Sequence, residues 1–132
     1  MAQEARAQRA RIEGRARVDR RTKRLLTRLR RGEIAVIHHR DLDLLAARAL
    51  LERGVQAVVN ADRSISGRYP CYGALALVEA GVPLIDNVGD EFFNQVQEGD
   101  LLRIEGGRVS TLDGKEAYGT RLTQEMVLNE IA

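Results

Sequence analysis

From Glu33 onward the apolar positions come in blocks of two kinds. Short unbroken runs, "IAVI", "AVV" and "PLI", are the length of buried strands. Longer stretches repeat their apolar residues every three or four positions, as a helix requires. "EIAVIHH" predicts a strand, and "RDLDLLAARALLERG" a helix whose Leu42, Leu45, Ala46, Ala49 and Leu50 share one face, ended by Gly54. "VQAVVN" is the next strand, and "CYGALALVEAG" a helix ended by Gly81. "VPLIDNV" is a third strand, followed by a short helix "DEFFNQVQEG" in which Asp90 is placed to cap and Phe92, Phe93 and Val96 face inward. "ERGVQAVVN" and "EAGVPLIDN" share one order of helix end, Gly, Val, apolar strand and Asn, so one unit is reused within a single α/β sheet.

The pattern then changes. "DLLRIEGGRVSTL" reads as two strands joined at Gly106-Gly107, a two-residue hairpin. "LTQEMVLNEIA" starts a helix with Thr123 as its cap and has no stop signal at Ala132, so the expectation is that the natural protein continues. Strands alternating with helices, then a hairpin, predict an α/β fold with a parallel core sheet and an added β element. Three segments follow: a basic N-terminal extension over residues 1–31, an α/β core over 32–113, and a linker with the start of a helix over 114–132.

Charge divides the chain in the same place. Residues 1–31 carry a net +9 and residues 32–132 a net −7. "AQEARAQRARIE" is helix-prone but has almost no apolar face, "RARV" can open a short strand, and "RRTKRLLTRLRRG" reads as a basic helix burying Leu25, Leu26 and Leu29 up to Gly32. The plain reading is a basic segment lying against acidic surface of its own chain or of a partner. Contact with nucleic acid or anionic lipid is the alternative. No aromatic residue interrupts the basic run to stack on bases, so nucleic acid ranks low.

The 132 residues suit one domain, and no apolar run approaches the length needed to cross a bilayer. Cys71 is the only cysteine, so an internal disulfide is excluded. His38 and His39 are adjacent and point to opposite faces of a strand, which with one cysteine and no HExxH disfavours a zinc site. Neither GxxxxGK[ST] nor GxGxxG is present, and nothing calls for a cofactor.

In a parallel sheet, ligands lie at the loops leaving the C-terminal ends of the strands. Here these are His38-His39, Asn60 to Tyr69, and Asp86 to Gly89. The stretch "SISGRYPCYG" is the richest of them. Gly67 permits close backbone approach, Arg68 offers a fork to an oxyanion, and the helix after Pro70 offers free N–H groups. The candidate ligand-binding residues are therefore His39, Asn60, Ser64, Ser66, Gly67, Arg68, Tyr69, Asp86 and Asn87, with no catalytic or metal-ligating residue assigned. The structural alternative stays open: Ser64 and Ser66 cap a turn, Arg68 pairs with Asp62 or Asp86, and Tyr69 packs on the core. His39 is placed to meet Asp62 or Asp86. Cys71, at a helix start, reads as a small, partly buried residue rather than a nucleophile.

"RVDRRTKRL", "GEIAVIHHRDLD", "VVNADRSISGRYP" and "AGVPLIDNVGDEFF", in this order, resemble the N-terminal region of the SteA-like bacterial cytokinetic-ring proteins, whose later portion looks like a thiamin pyrophosphokinase fold. The resemblance runs from about Gly14 to the last helix. It departs at His38, where an acidic residue is expected before the histidine. It implies a cytoplasmic protein at the division septum, with a SteB-type membrane protein as partner and any membrane anchor beyond this chain. A second likeness is to fold: "AGVPLIDNVGDEFFNQVQEGDLLRIEGGRV" is similar to the end of a swivelling, three-layer β/β/α domain of phosphoenolpyruvate-using enzymes. The loop that carries their phosphorylated histidine has no histidine here, which disfavours that transfer. Two functions are expected from these readings. One is a non-catalytic regulatory or scaffold domain of a cell-division protein, holding a phosphorylated small molecule or anion at Ser64–Pro70. The other is a swivelling, substrate-positioning domain of a phosphoryl-transfer, nucleotide-binding enzyme. Homodimerisation through the basic head is left open.

Overall fold

The computed structural model describes residues 11–68 and 70–131. The first ten residues, Tyr69 and Ala132 lie outside it, and with them most of the helix expected in the basic head. The expected alternation is present. Strands β1 (Ile12–Asp19), β2 (Ile34–Ile37), β3 (Ala57–Asn60) and β4 (Leu84–Asp86) pair in parallel in that order. Helices α1 (Thr22–Leu25), α2 (Leu44–Glu52), α3 (Gly73–Glu79) and α4 (Asp90–Gln95) follow them in turn. Strands β5 (Leu101–Glu105) and β6 (Arg108–Thr111) form the hairpin at Gly106-Gly107, and β5 pairs antiparallel to β1. Then come β7 (Glu116–Tyr118), β8 (Thr120–Arg121) and α5 (Gln124–Ile131). Thr123 caps α5 as expected, its hydroxyl accepting the Met126 N–H at 3.2 Å.

The eight strands lie in the order β7-β6-β5-β1-β2-β3-β4-β8. β7 pairs with β6, whereas β8, one residue further along the chain, pairs with β4 at the other end of that order. A single run of chain thus spans both ends, and the sheet nearly closes into a barrel. Gly119 is the joint. A Cβ there would lie 2.5 Å from the Asp86 carbonyl oxygen and 2.8 Å from Val88 Cγ1, so only a hydrogen fits.

The parallel strands are apolar on both faces because both faces are covered. Ile34, Val36, Ala57, Val59 and Ile85 face the barrel interior, with Phe92, Phe93, Leu102, Ile104 and Val109. Ala35, Ile37, Val58 and Leu84 face the helices, against Leu25, Leu50, Leu77 and Val127.

Four expectations need correction. The segment around "RARV" is an eight-residue strand beginning at Ile12 and lying between β5 and β2, so residues 12–19 are built into the sheet rather than appended to it. The basic helix is four residues long; beyond Leu25 the chain continues in turns that still bury Leu29. In α2 the buried residues are Ala47 and Leu50, while Leu45 is 78% exposed, because the helix begins only at Leu44 and Leu42 is held in the preceding loop. Asp90 makes no cap bond to its helix and instead bonds His38.

The charge division has a structural counterpart. Arg17 forks onto Glu33 at 3.0 and 2.8 Å, and Arg28 reaches Glu98 at 2.7 Å and Asp19 at 3.2 Å. The Arg17 hydrogen bonds hold the Glu33 carboxyl below its ordinary range. Part of the basic head therefore lies on acidic surface of its own chain.

Candidate functional site

Asn60 ends β3 with its side chain wholly buried, where an amide is tolerated only if every polar atom finds a partner. Its Oδ1 accepts the backbone N–H groups of His39 and Asp62, each at 3.1 Å. Its Nδ2 donates to the His39 carbonyl at 2.9 Å and to Ser64 Oγ at 2.8 Å. The amide is thereby saturated and ties the ends of β2 and β3 to the loop between β3 and α3. Ser64, also wholly buried, donates its N–H to Asp86 Oδ1 at 2.8 Å, which brings in the end of β4. Burial pushes the Asp86 carboxyl above its ordinary range, and the Ser64 hydrogen bonds only partly offset this.

A second clamp holds the outer part of the loop. Asp41 accepts the Ser66 N–H at 2.7 Å and the Ser66 hydroxyl at 2.9 Å. Although burial acts to raise it, these two bonds keep the Asp41 carboxyl below its ordinary value. Asp41 adopts the left-handed conformation at φ 53°, uncommon for a residue with a side chain. The Asp41 and Leu42 N–H groups donate to the carbonyls of Arg63 and Ser64, so the loop lies along the β2–α2 connection like a short extra ladder.

Of the residues singled out from sequence, the His39 backbone, Asn60, Ser64 and Asp86 meet in one network, while Ser66 is held separately by Asp41. Gly67, at φ 81°, and Arg68 turn outward and are exposed; the Arg68 guanidinium forms no salt bridge among the described residues. Its expected pairing with Asp62 or Asp86 is not made. Asn87 is exposed at φ 58°, its N–H on the Asp62 carbonyl at 3.2 Å. Tyr69 lies outside the described residues. Together with Arg63, Thr120 and Glu130, Asp86 and Asn87 line a cavity of about 270 Å³ between the strand ends and α5.

The histidines differ from expectation. His39 meets neither Asp62 nor Asp86: its Nδ1 is 2.8 Å from Thr22 Oγ1 and its Nε2 is 3.6 Å from Asp43 Oδ1. His38, not singled out from sequence, bonds Asp90 Oδ1 through Nε2 at 2.6 Å and sets its ring edge against Phe93. The signal was the alternation of side chains along β2, which sends the two imidazoles to opposite faces and so to different carboxylates.

The helix after Pro70 is not an anion cradle. It begins at Gly73, whose N–H donates to the Leu42 carbonyl at 3.0 Å, and a Cβ on Gly73 would stand 2.2 Å from that oxygen. Backbone fills the place a ligand would take. Cys71 is buried, its thiol donating to the Leu42 carbonyl at 3.0 Å, and burial pushes the thiol up, away from the thiolate a nucleophile requires. Among the described residues no three His, Cys, Asp or Glu side chains converge as metal ligands, and no helix is long and apolar enough to cross a membrane.

No family model and no curated protein matches the chain. Solved structures do. A 3-isopropylmalate dehydratase (LeuD) from Methanocaldococcus jannaschii is 12% identical at a TM-score of 0.57, over 86% of this chain and 84% of that one. A UPF0107 protein solved by NMR in solution is 18% identical at a TM-score of 0.51, over 80% of this chain and 94% of that one. The likeness is one of fold.

Proposed function

We propose that this chain is a non-catalytic scaffold domain with a swivelling, three-layer β/β/α architecture, working in a bacterial cell-division protein of the SteA-like kind. One observation carries the non-catalytic part. The polar groups at the strand ends bond to one another: Asn60 is saturated, Ser64 and Ser66 are held by Asp86 and Asp41, and Cys71 is buried with its thiol on a carbonyl. A reactive site presents its nucleophile or base to substrate, whereas here the Asn60 amide, Ser64 and the Cys71 thiol are buried and turned to the protein's own loops. The barrel interior and the helix-covered face of the parallel strands, each with its own core, support the three-layer description. The cell-division role, cytoplasmic placement at the septum and a SteB-type membrane partner rest on "SISGRYP" and "PLIDNVG". Gly67 and Arg68 are among the residues the loop presents outward, with Arg63 and Pro70, and they are the ones we assign to a partner or an anion.

A second reading, a swivelling, substrate-positioning domain of a phosphoryl-transfer, nucleotide-binding enzyme, is favoured by the cavity beside Asp86, which a buried carboxyl lines together with Arg63 and Asn87. Thermal unfolding of the wild-type chain, Arg68→Ala and Arg63→Ala, titrated with inorganic phosphate, nucleotides, sugar phosphates and thiamin phosphates, separates the two. The scaffold reading expects any rise in melting temperature to disappear in Arg68→Ala, the residue it assigns to an anion. A rise that grows with concentration, survives in Arg68→Ala and disappears in Arg63→Ala, whose side chain lines the cavity beside Asp86, overturns it in favour of the second.

A further inference from the structure

Helices α1 and α2 leave a groove between them of about 520 Å³, within the size range of small-ligand sites. Its apolar lining is Leu26, Leu45, Ala46 and Ala49. The last three belong to the stripe that helical periodicity marks as buried, yet Leu45 is 78% exposed, so the stripe is continued by a groove wall rather than by core. The charged rim carries three cations, Arg20, Arg21 and Lys23, against one carboxylate, Asp43. Arg21 and Lys23 stand on it, both exposed, and neither forms a salt bridge among the described residues, unlike Arg17 and Arg28 of the same basic segment. Arg20, on the same rim, lies over the Phe93 ring. At the inner end Thr22 bonds His39, with Asp43 beside it, so an anion is accommodated at the Arg21 and Lys23 side.

We propose that this groove binds a single-chain anionic amphiphile, a carboxylate or phosphate monoester on an alkyl tail, with the tail on Leu45, Ala46 and Ala49 and the head between Arg21 and Lys23. The apolar wall accounts for the tail, because burying Leu45 and Leu26 against it removes apolar surface from water. Arg21 and Lys23, which form no salt bridge among the described residues, account for the sign of the head and discriminate against a cationic one. The groove is separate from the loop that holds Arg68, so this inference stands or falls apart from the scaffold reading.

The test is calorimetric titration of the 132-residue chain with decanoate and with decyl phosphate below their micelle concentrations. Decyltrimethylammonium and anionic vesicles serve as comparators, and Leu45→Asp and the double variant Arg21→Glu/Lys23→Glu as altered proteins. Both variants change exposed side chains, and their melting curves verify that they fold. Saturable one-to-one binding of either anionic compound is expected, weakened about tenfold or more in each variant and for the cationic compound. Binding of decyl phosphate alone assigns a phosphate head, and binding of decanoate a carboxylate. The proposal is overturned if neither anion binds, if Leu45→Asp binds as tightly as the wild type, if the cationic compound binds equally well, or if only vesicles capture the chain.

Discussion

Replacing Asn60 by alanine removes four hydrogen bonds at once, two accepted and two donated by a side chain with no exposure to solvent. A hydrogen bond contributes a net of about 0.5–1.5 kcal/mol, so the loss is about 2–6 kcal/mol. At about 2.1 cal/mol/K of unfolding entropy per residue, a chain of 132 residues has about 0.28 kcal/mol/K at its midpoint, and the melting temperature falls by roughly 7–21 °C. A domain of this size has about 7–20 kcal/mol of stability in all, so the variant still folds at room temperature. Ser66→Ala is the internal comparison: it keeps the backbone bond to Asp41 and loses the two bonds of the hydroxyl, one donated to Asp41 and one accepted from the Arg68 N–H, a change of about 1–3 kcal/mol, or roughly 4–11 °C. Both are read by calorimetry or by circular dichroism on heating. An Asn60→Ala melting temperature within about 3 °C of the wild type, or equal falls for the two variants, would refute the view that this amide anchors the strand ends.

Gly119→Ala places a methyl group into space held by the Asp86 carbonyl and the Val88 and Ile85 side chains, and overpacking of this kind costs about 1–3 kcal/mol. A fall of roughly 4–11 °C is expected on heating, and an unchanged melting temperature contradicts the close approach described at this joint. Asp86→Asn keeps an acceptor for the Ser64 N–H and removes a charge that burial disfavours. The folded carboxyl titrates above its ordinary 3.8, so its contribution is fully present below that pH and is lost as pH rises through the folded value. The variant therefore gains stability relative to wild type at pH 7 and loses that advantage at pH 3.5, measured as the difference between paired urea melts. A difference that widens in acid has the wrong sign.

The helix and strand order was legible from residue 33 on because "IAVI", "AVV" and "PLI" are bounded by glycines and by helical stretches of different period. Strand β1 was harder to read. "IEGRARVD" has few apolar positions, and it lies mid-sheet because Arg17 finds Glu33 and Glu98 while Ala16 faces the barrel. Those acids are far away in the sequence, and local pattern does not register them. Leu45 shows the same limit in reverse: periodicity identifies an apolar stripe without saying whether protein or solvent meets it. At the candidate site, the gathering of the Asn60, Ser64 and Asp86 loops follows from parallel topology alone. The choice of partner does not, because His39 turns to Thr22 and Asp43, which the α1 turn and the start of α2 bring to it. Whether Gly73 opens or closes the α3 terminus likewise depends on where the Leu42 backbone passes.

An open sheet leaves two outermost strands whose unpaired N–H and C=O groups invite another chain to add on. Here both outermost positions belong to one run, residues 116–121, bent at Gly119, and the run is short on each side, three residues in β7 and two in β8. Neither half offers a long flat template, which guards the folded protein against strand addition. Detachment of this run would bare β6 and β4 together, the latter with the apolar sequence Leu84-Ile85. The same few residues that close the barrel thus govern when the molecule is open to intermolecular pairing.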